Sequence, residues 1–433
     1  MVRYALRGGT DGDLPPGWFT HSSDLASETA GTMPVVSTTL EREVRRRLKR
    51  SAADMVDFAS ELIRIPSENP PGKAYPQAAR LIARRLRDLG LSVRTLNPTT
   101  TAPSVFGTLG DTGRALYFSG HYDVVPAQAR SQFEPVVRKS NLHGRGSADM
   151  KGGIAAMAFA LRALLSAGFD PKGRLISVSV PDEETSGPAG TIALAKAGVL
   201  EPDALGMLTM EPTSGVIWNA NRGVISARVT VRGKPAHVGL HFRGVNAFTG
   251  MLDVAGAFNA LAARVSRRRT ASEINPEAAR RSVLLLGGEL SGGHSFNVVP
   301  DRVSFTIDRR TNPEEDFEAE RRRLFHTVEQ ARARGIDCDI EVLQEGRSGF
   351  TDPERPLARA LASSIERVAR ARPRFELCPG VLETRHYVAQ GIPALAYGPG
   401  LLSVAHGPHE FVSVKKLVQV AEIYALTALQ LLG

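Results

Sequence analysis

Five short patches hold the residues best suited to chemistry in this chain: His121-Tyr122-Asp123, Asp149, Asp182-Glu183-Glu184, Glu211 and His406. Imidazole nitrogen and carboxylate oxygen are donors that zinc and its neighbours accept, and one Asp can bridge two metals through its two oxygens. Two ions ~3.5–4 Å apart can share an attacking water and clamp a developing tetrahedral centre. Taken singly, His-X-Asp or Asp-Glu-Glu is also what a solvated surface turn spells. Gathered at the ends of strand-like runs, they predict a metal-dependent hydrolase, because only a folded α/β sheet would bring such distant points together.

The elements that must position them can be read around each patch. Apolar or alternating runs at 115–119, 174–180 and 205–210 predict strands that stop just before His121, Asp182 and Glu211. Asp149 precedes an Ala- and Leu-rich helix that begins near Lys151, covers 154–167 and stops at Gly168, and His406 lies in a loop between Gly400 and Pro408. Upstream, helical patterns run from Thr39 to the Pro66 region, with a break near Arg50, and over 78–89. Strands alternating with helices predict an α/β fold with a mostly parallel sheet flanked by helices, whose ligands bind beyond the carboxyl ends of the strands.

The rhythm changes near Arg222. Residues 224–231 alternate as a half-exposed antiparallel strand should. A helix over 247–265, strands at 282–286 and 303–307, a helix over 314–334 and a strand at 338–342 follow. Two strand–helix–strand groups predict an inserted α+β domain. The first pattern resumes with helices at 356–371 and 414–431 around a strand-like run at 392–397. The expected division is an N-terminal extension (1–37), a catalytic metal-binding domain in two parts (38–222 and 344–433) and the insert (223–343).

Composition narrows the class. At 433 residues, with 42% hydrophobic and 23% charged residues, the chain reads as an ordinary globular protein of two domains. Two cysteines, Cys338 and Cys378, make no disulfide framework, and neither a secretory leader nor a membrane-length apolar run is evident. A cytoplasmic protein without membrane association is expected. The net charge of +9 and the clusters Arg45-Arg46-Arg47 and Arg267-Arg268-Arg269 raise nucleic-acid binding. No aromatic stacking platforms lie between those arginines, so they read as solvated helix faces, and a basic field suits a small anionic substrate instead.

The patches sit in longer motifs that resemble a known family. Gly120-His121-Tyr122-Asp123-Val124-Val125-Pro126, Gly144-Arg145-Gly146 with Asp149-Met150-Lys151-Gly152-Gly153, Asp182-Glu183-Glu184, Met210-Glu211-Pro212-Thr213 and Ala405-His406-Gly407-Pro408 stand in order over about 56–433. They are similar to the signatures of the co-catalytic dinuclear metallohydrolases that include acetylornithine deacetylase, succinyl-diaminopimelate desuccinylase, aminoacylase and glutamate carboxypeptidase. The resemblance implies a phosphorylase/hydrolase-like catalytic domain with a ferredoxin-like lid and dimerisation domain, hence a homodimer. It also implies two divalent ions per subunit, zinc first, with manganese or cobalt as alternatives.

Carried over residue by residue, the resemblance gives His121 and Glu211 to one metal, Glu184 and His406 to the other, and makes Asp149 the bridge. Asp123 would accept from the far nitrogen of His121 and fix its tautomer. Glu183 would be the general base that takes a proton from the attacking water and hands it to the leaving nitrogen. Lys234-Pro235-Ala236-His237-Val238-Gly239 resembles the stretch whose His reaches the partner subunit's site to hold the oxyanion, though His237 alone reads equally as a turn histidine. Asn297 and Arg310 resemble positions that bind a substrate carboxylate; Arg310 also fits an exposed charge at a strand end.

One stretch departs from the family. Where relatives carry Gly-Thr-Asp-Ala-Arg, this chain has Val381-Leu382-Glu383-Thr384-Arg385, so Arg385 is retained among altered neighbours, with His386 and Tyr387 reading as packing first and as substrate contacts second. The implied reaction is hydrolysis of a C–N bond, an amide of an N-acyl amino acid or small peptide. The altered stretch keeps open an aminohydrolase that releases ammonia from an amino-aromatic, carbamoyl or amidine substrate. A non-catalytic binding protein on the same fold is the alternative of another class, and bound divalent metal separates it from the enzymes.

Overall fold

In the computed structural model, which describes residues 38–98 and 101–433, the first elements are helices α1 (Thr38–Arg50), α2 (Ala52–Ile63) and α3 (Tyr75–Asp88). The break at Ser51 falls where the sequence predicts one, and the expected extension over 1–37 lies outside the described residues. Strands β1 (Ser92–Leu96), β2 (Ser104–Leu109) and β3 (Ala115–His121) follow, then the short hairpin β4 (Val136–Arg138) and β5 (Asn141–His143). Next come α4 (Lys151–Ser166), β6 (Arg174–Val180), α5 (Thr191–Lys196), β7 (Gly206–Thr209) and β8 (Ile217–Asn221). The insert supplies β9 (Gly223–Arg232), α6 (Ala247–Val265), β10 (Val283–Gly292), β11 (Arg302–Thr311), α7 (Phe317–Ala333) and β12 (Cys338–Gly346). The chain then returns with β13 (Gly349–Phe350), α8 (Pro356–Ala369), β14 (Phe375–Cys378), α9 (Thr384–Val388), β15 (Ala394–Ala396), β16 (Phe411–Ser413) and α10 (Val414–Leu432).

Nine strands form the main sheet in the order β1-β2-β6-β3-β7-β15-β8-β13, with β14 beside β8. The centre, β6-β3-β7-β15, is parallel, as expected. The flanks are mixed: β1 with β2, β2 with β6, β13 with β8 and β15 with β8 pair antiparallel, of which only β1 and β2 are joined by a short connection, while β14 lies parallel to β8. Helices cover both faces. On one, α4 and α10 pack with α1, α2, α3 and α8 around Phe118, Leu161 and Tyr424; on the other, α5 and α9 pack on Tyr117, Ile176 and Met207.

Helix α4 is apolar nearly all round, the pattern of a helix enclosed by its neighbours. Its first turn needs glycine for close approach. A Cβ at Gly152 would meet the Ser147 carbonyl at 2.3 Å, and one at Gly153 the Met210 side chain at 2.8 Å. That fit brings Asp149, two residues before the helix, up to the end of β7.

The insert is a separate sheet in the order β10-β11-β9-β12, all antiparallel, with α6 and α7 on one face. This β-α-β-β-α-β arrangement is ferredoxin-like. Strand β9 alternates Ile225, Ala227, Val229 and Val231 toward the helices, where Phe258, Leu324 and Val328 complete the core. Both helices start on capping side chains: Asn246 accepts from the Phe248 amide at 2.8 Å and Asp316 from the Ala319 amide at 3.0 Å.

The arginine clusters are tied into ion pairs. Arg45 meets Glu422 at 2.5 Å, Arg46 and Arg47 meet Glu43 at 2.6 Å, and Arg268 meets Glu315 and Glu320 at 2.7 Å. Among the described residues, no helix is long and apolar enough to cross a membrane.

Candidate metal centre

The site is assembled by register. Central strand β3 lies between β6 and β7, with His121 opposite Val180 and Ser119 opposite Thr209. All three strands therefore finish at one level, and the residues just past them (His121, Asp182-Glu183-Glu184 and Glu211) emerge side by side. Asp149 arrives from the turn before α4, and its peptide bond to Met150 is cis. His406 comes from the loop ahead of β16 and has a left-handed backbone, φ +62°, as does Asp182 at φ +68°. Such conformations cost non-glycine residues energy and persist where the surroundings enforce them.

The five residues form two triads. His121, Asp149 and Glu211 present ligand atoms within 4.8 Å of one another, as do Asp149, Glu184 and His406. Asp149 belongs to both. One of its oxygens lies 3.1 Å from His121 Nε2 and the other 3.2 Å from His406 Nε2. Glu211 is 3.7 Å from His121 Nε2, and Glu184 is 3.2 Å from His406 Nε2.

The donor set fits two cations. Glu211 Oε1 is buried with no hydrogen-bond partner, an arrangement that a bound cation would complete. Burial, and then the charge of Asp149, lifts the carboxyls of Glu211 and Glu184 above the usual range. Hydrogen bonds to Asp149 and Glu184 push His406 up to about 10. His121 is also raised, because Asp123 and Asp149 outweigh a burial that pulls it down. Without metal, protons must balance the crowded carboxylates.

Asp123 does more than was expected of it. His121 Nδ1 is 3.1 Å from the Asp123 carbonyl oxygen and 3.5 Å from the carboxylate, so the nearer partner of the ring is the backbone. The carboxylate is engaged elsewhere: it accepts from Asn69 Nδ2 at 2.9 Å and from the Glu183 and Glu184 amides at 3.2 and 3.1 Å. It thus holds the turn that divides Glu184 from Glu183. Glu184 points into its triad, while Glu183 lines a small cavity with Glu383 and Arg385. Glu183 keeps part of its surface open, yet the surrounding burial lifts its carboxyl to about 8.

The expected substrate residues lie in two places. Arg385 borders the Glu183 cavity, buried, with Nη1 donating to the Leu382 carbonyl at 2.7 Å. His237 is exposed in the insert; its Nδ1 accepts from the Gly239 amide at 3.1 Å, and it makes no hydrogen bond to the acidic cluster. Asn297 adjoins it, since the Val238 amide donates to the Asn297 carbonyl and His237 bridges Val298. Arg310 turns back on Asp308, at 2.6 Å from Nε, so a substrate carboxylate would have to displace an internal one. Tyr387 is packing, fully buried with its ring 5.7 Å from that of Tyr117.

Four residues near the centre escaped sequence reasoning. Glu383 is buried beside Glu183 and accepts from Thr191 Oγ1 at 2.8 Å. Asn69 reaches Asp123, Asp182 and Thr185. Arg145 and Glu410 pair at 2.7 Å behind the triads. The only local signal was proximity: Arg145 lies within a quoted motif and Glu410 lies just beyond the His406 loop.

Fold and site together define a metal-binding hydrolase of the α/β class. Residues 117–430 match the model of peptidase family M20/M25/M40, and the chain belongs to that family, whose enzymes act on C–N amide bonds. It is 29% identical over 412 residues to a succinyl-diaminopimelate desuccinylase of Gluconacetobacter diazotrophicus, covering 89% of this chain and 99% of that one. It is 26% identical over 418 residues to an N-formyl-4-amino-5-aminomethyl-2-methylpyrimidine deformylase of Bacillus subtilis, covering 88% and 95%. A family metallo-carboxypeptidase from Sulfolobus solfataricus shares the fold at a TM-score of 0.73 and 18% identity, over 87% of this chain and 99% of that one.

Proposed function

We propose that the chain hydrolyses the amide of an N-acyl amino acid or small peptide, with two divalent ions per subunit and Glu183 as general base. The observation that carries this reading is Asp149, whose two oxygens lie 3.1 and 3.2 Å from histidines of two different triads. A carboxylate so placed suits a bridge between two ions. His121 and Glu211 would hold one ion, Glu184 and His406 the other, with zinc, manganese or cobalt as the metal. Bound there, the ions would supply Lewis acidity toward the amide carbonyl and make a water acidic enough to lose its proton near neutrality.

The chain's own groups do the rest. Glu183 accepts the proton of the attacking water and delivers it to the leaving nitrogen. Asp123 holds Glu183 and Glu184 apart by their backbone amides. Arg385 offers a guanidinium beside Glu183 for an anionic substrate. Relatives named for removing a succinyl and a formyl group leave the acyl group open. The test is a screen of N-acetyl, N-succinyl, N-formyl and N-carbamoyl amino acids and dipeptides, with protein stripped of metal and reloaded with each ion. Hydrolysis only by the reloaded protein is expected; metal-independent turnover, or ammonia release from unacylated amines, would overturn the reading.

The division at 38–222, 223–343 and 344–433, with the insert as lid and pairing surface of a homodimer, belongs to the same reading. The insert exposes Phe242 (70%), Leu252 (55%), Leu285 (59%) and Leu290 (70%) along α6, the loop before it and the edge strand β10. A second copy would cover that face and receive His237 as an oxyanion donor. Changing Leu252 and Leu285 together to Glu is expected to give monomers in sedimentation. It should also lower kcat about 100-fold, the size of effect expected for His237→Ala, since one oxyanion donor supplies roughly that. A fully active monomer would separate His237 from catalysis.

A further inference from the structure

The geometry points to Arg145 and Glu410 as positioning residues that hang both triads from one buried ion pair, an inference that rests on the dinuclear reading above. Both side chains are enclosed, at 1% and 2% exposure. Glu410 Oε1 accepts from the amides of Ala148 and Asp149, at 2.9 and 3.1 Å. Glu410 Oε2 accepts from Arg145 Nη1 at 2.7 Å, and Arg145 Nη2 donates to the His406 carbonyl at 3.0 Å. One ion pair therefore grips the backbone of the shared ligand and that of a ligand held by one triad alone.

The surroundings make the pair a clasp between distant segments. Strand β16 pairs with β5, setting Phe411 opposite His143, and the Gly144 amide continues the ladder to the Glu410 carbonyl at 3.1 Å. Gln132 Nε2 adds a bond to the Gly407 carbonyl at 3.2 Å. The stretch from Gln132 to Asp149 is thus zipped to the stretch from His406 to Ser413.

The two triads depend on this clasp unequally. His121 ends the central strand of the sheet and is 1% exposed. His406 stands on a loop with its side chain 53% exposed and its backbone left-handed. Its carbonyl is fixed by Arg145. Loosening the pair frees His406, while His121 and Glu211 stay anchored by β3 and β7 and Asp149 keeps its place at the head of α4, where the Lys151 amide donates to the Gly146 carbonyl at 2.7 Å and the Ile154 amide to the Met150 carbonyl at 3.0 Å. Outer partners of metal ligands typically govern affinity by about 10–100-fold, so the loss falls on the His406 triad.

The experiment titrates metal-stripped full-length protein with Co2+, following the visible absorption of the bound ion and heat release. The wild-type chain should bind two ions. Glu410→Gln and Arg145→Lys should bind one with affinity within about threefold of wild type and the other about 10–100-fold more weakly. The double variant Arg145→Met with Glu410→Leu replaces the pair by apolar groups of similar volume, a change that buried ion pairs often tolerate. Folded by circular dichroism, it should show the same loss of one ion. Two ions held at wild-type affinity in the folded variants, or equal weakening of both, would overturn the clasp while leaving the metal centre standing. A wild-type chain that binds no Co2+ would remove the dinuclear reading and the clasp with it.

Discussion

Glu183→Gln is expected to keep both ions and lose nearly all turnover. Glu183 belongs to neither triad, so its amide analogue should leave metal content unchanged. What Gln cannot do is accept a proton. General acid–base catalysis contributes roughly 10²–10⁴-fold, and this residue would serve two transfers, from the water and to the leaving nitrogen. The upper end, about 10⁴-fold in kcat or about 5.4 kcal/mol of barrier, is the expected loss, with KM little changed.

Acidity gives a second signature. Burial lifts Glu183 to about 8 in the metal-free chain, and cations bound alongside would draw it down. The working form is the carboxylate, so kcat/KM falls as pH drops through its pKa, and the residual rate of the Gln variant should lack that acidic limb. Metal analysis with steady-state kinetics across pH checks both. Turnover near wild type in a fully loaded variant would dismiss Glu183 as the base.

Asp149→Ala should empty the whole centre, whereas His406→Ala should lose one ion. The contrast follows from geometry: Asp149 faces both histidines, and His406 only one side. Removing a shared ligand also leaves the carboxylates of Glu184 and Glu211 crowded around two imidazoles with nothing between them. Dialysed protein should carry fewer than one ion per chain, and activity should fall by at least about 10⁴-fold, comparable to losing the metals' Lewis acidity. Two ions retained at wild-type affinity would show that the triads are not joined through Asp149.

His121, the Asp182-Glu183-Glu184 run and Glu211 were legible because they sit directly after strong strand patterns, whereas Asp149, ahead of a helix, and His406, in a loop, stood out by their motifs. A run such as Arg174–Val180 announces both its own end and the acidic turn beyond it. Long periodic helices, α6 and α10 among them, were equally plain. Strands of a few residues were not: β14 and β16 take their form from partners distant in the chain, β8 and β5, and the hairpin β4–β5 has only three residues a strand. The same limit hid Asn69, Glu383 and Glu410. Each acts through a hydrogen bond to a residue 54 or more positions away, and no local spacing encodes that. His237 and Arg310 were suggested by motif alone, and their side chains turn to Gly239 and Asp308 within one subunit.

The position of β15 has a consequence for how the molecule is made. Strands β7 and β8 are consecutive in the chain, yet in the sheet β15 stands between them, pairing Ala394–Ala396 with Met207–Thr209 on one side and Ala396 with Trp218 on the other. Everything from β9 to β12 leaves the ribosome before that strand exists. Pairings of such long sequence separation form slowly, and strand edges left waiting invite wrong partners. The insert closes on contacts of its own and can be finished early. A chain synthesised only as far as β13 therefore carries the complete insert, sheet and helices, beside a main sheet that still has a slot in its middle.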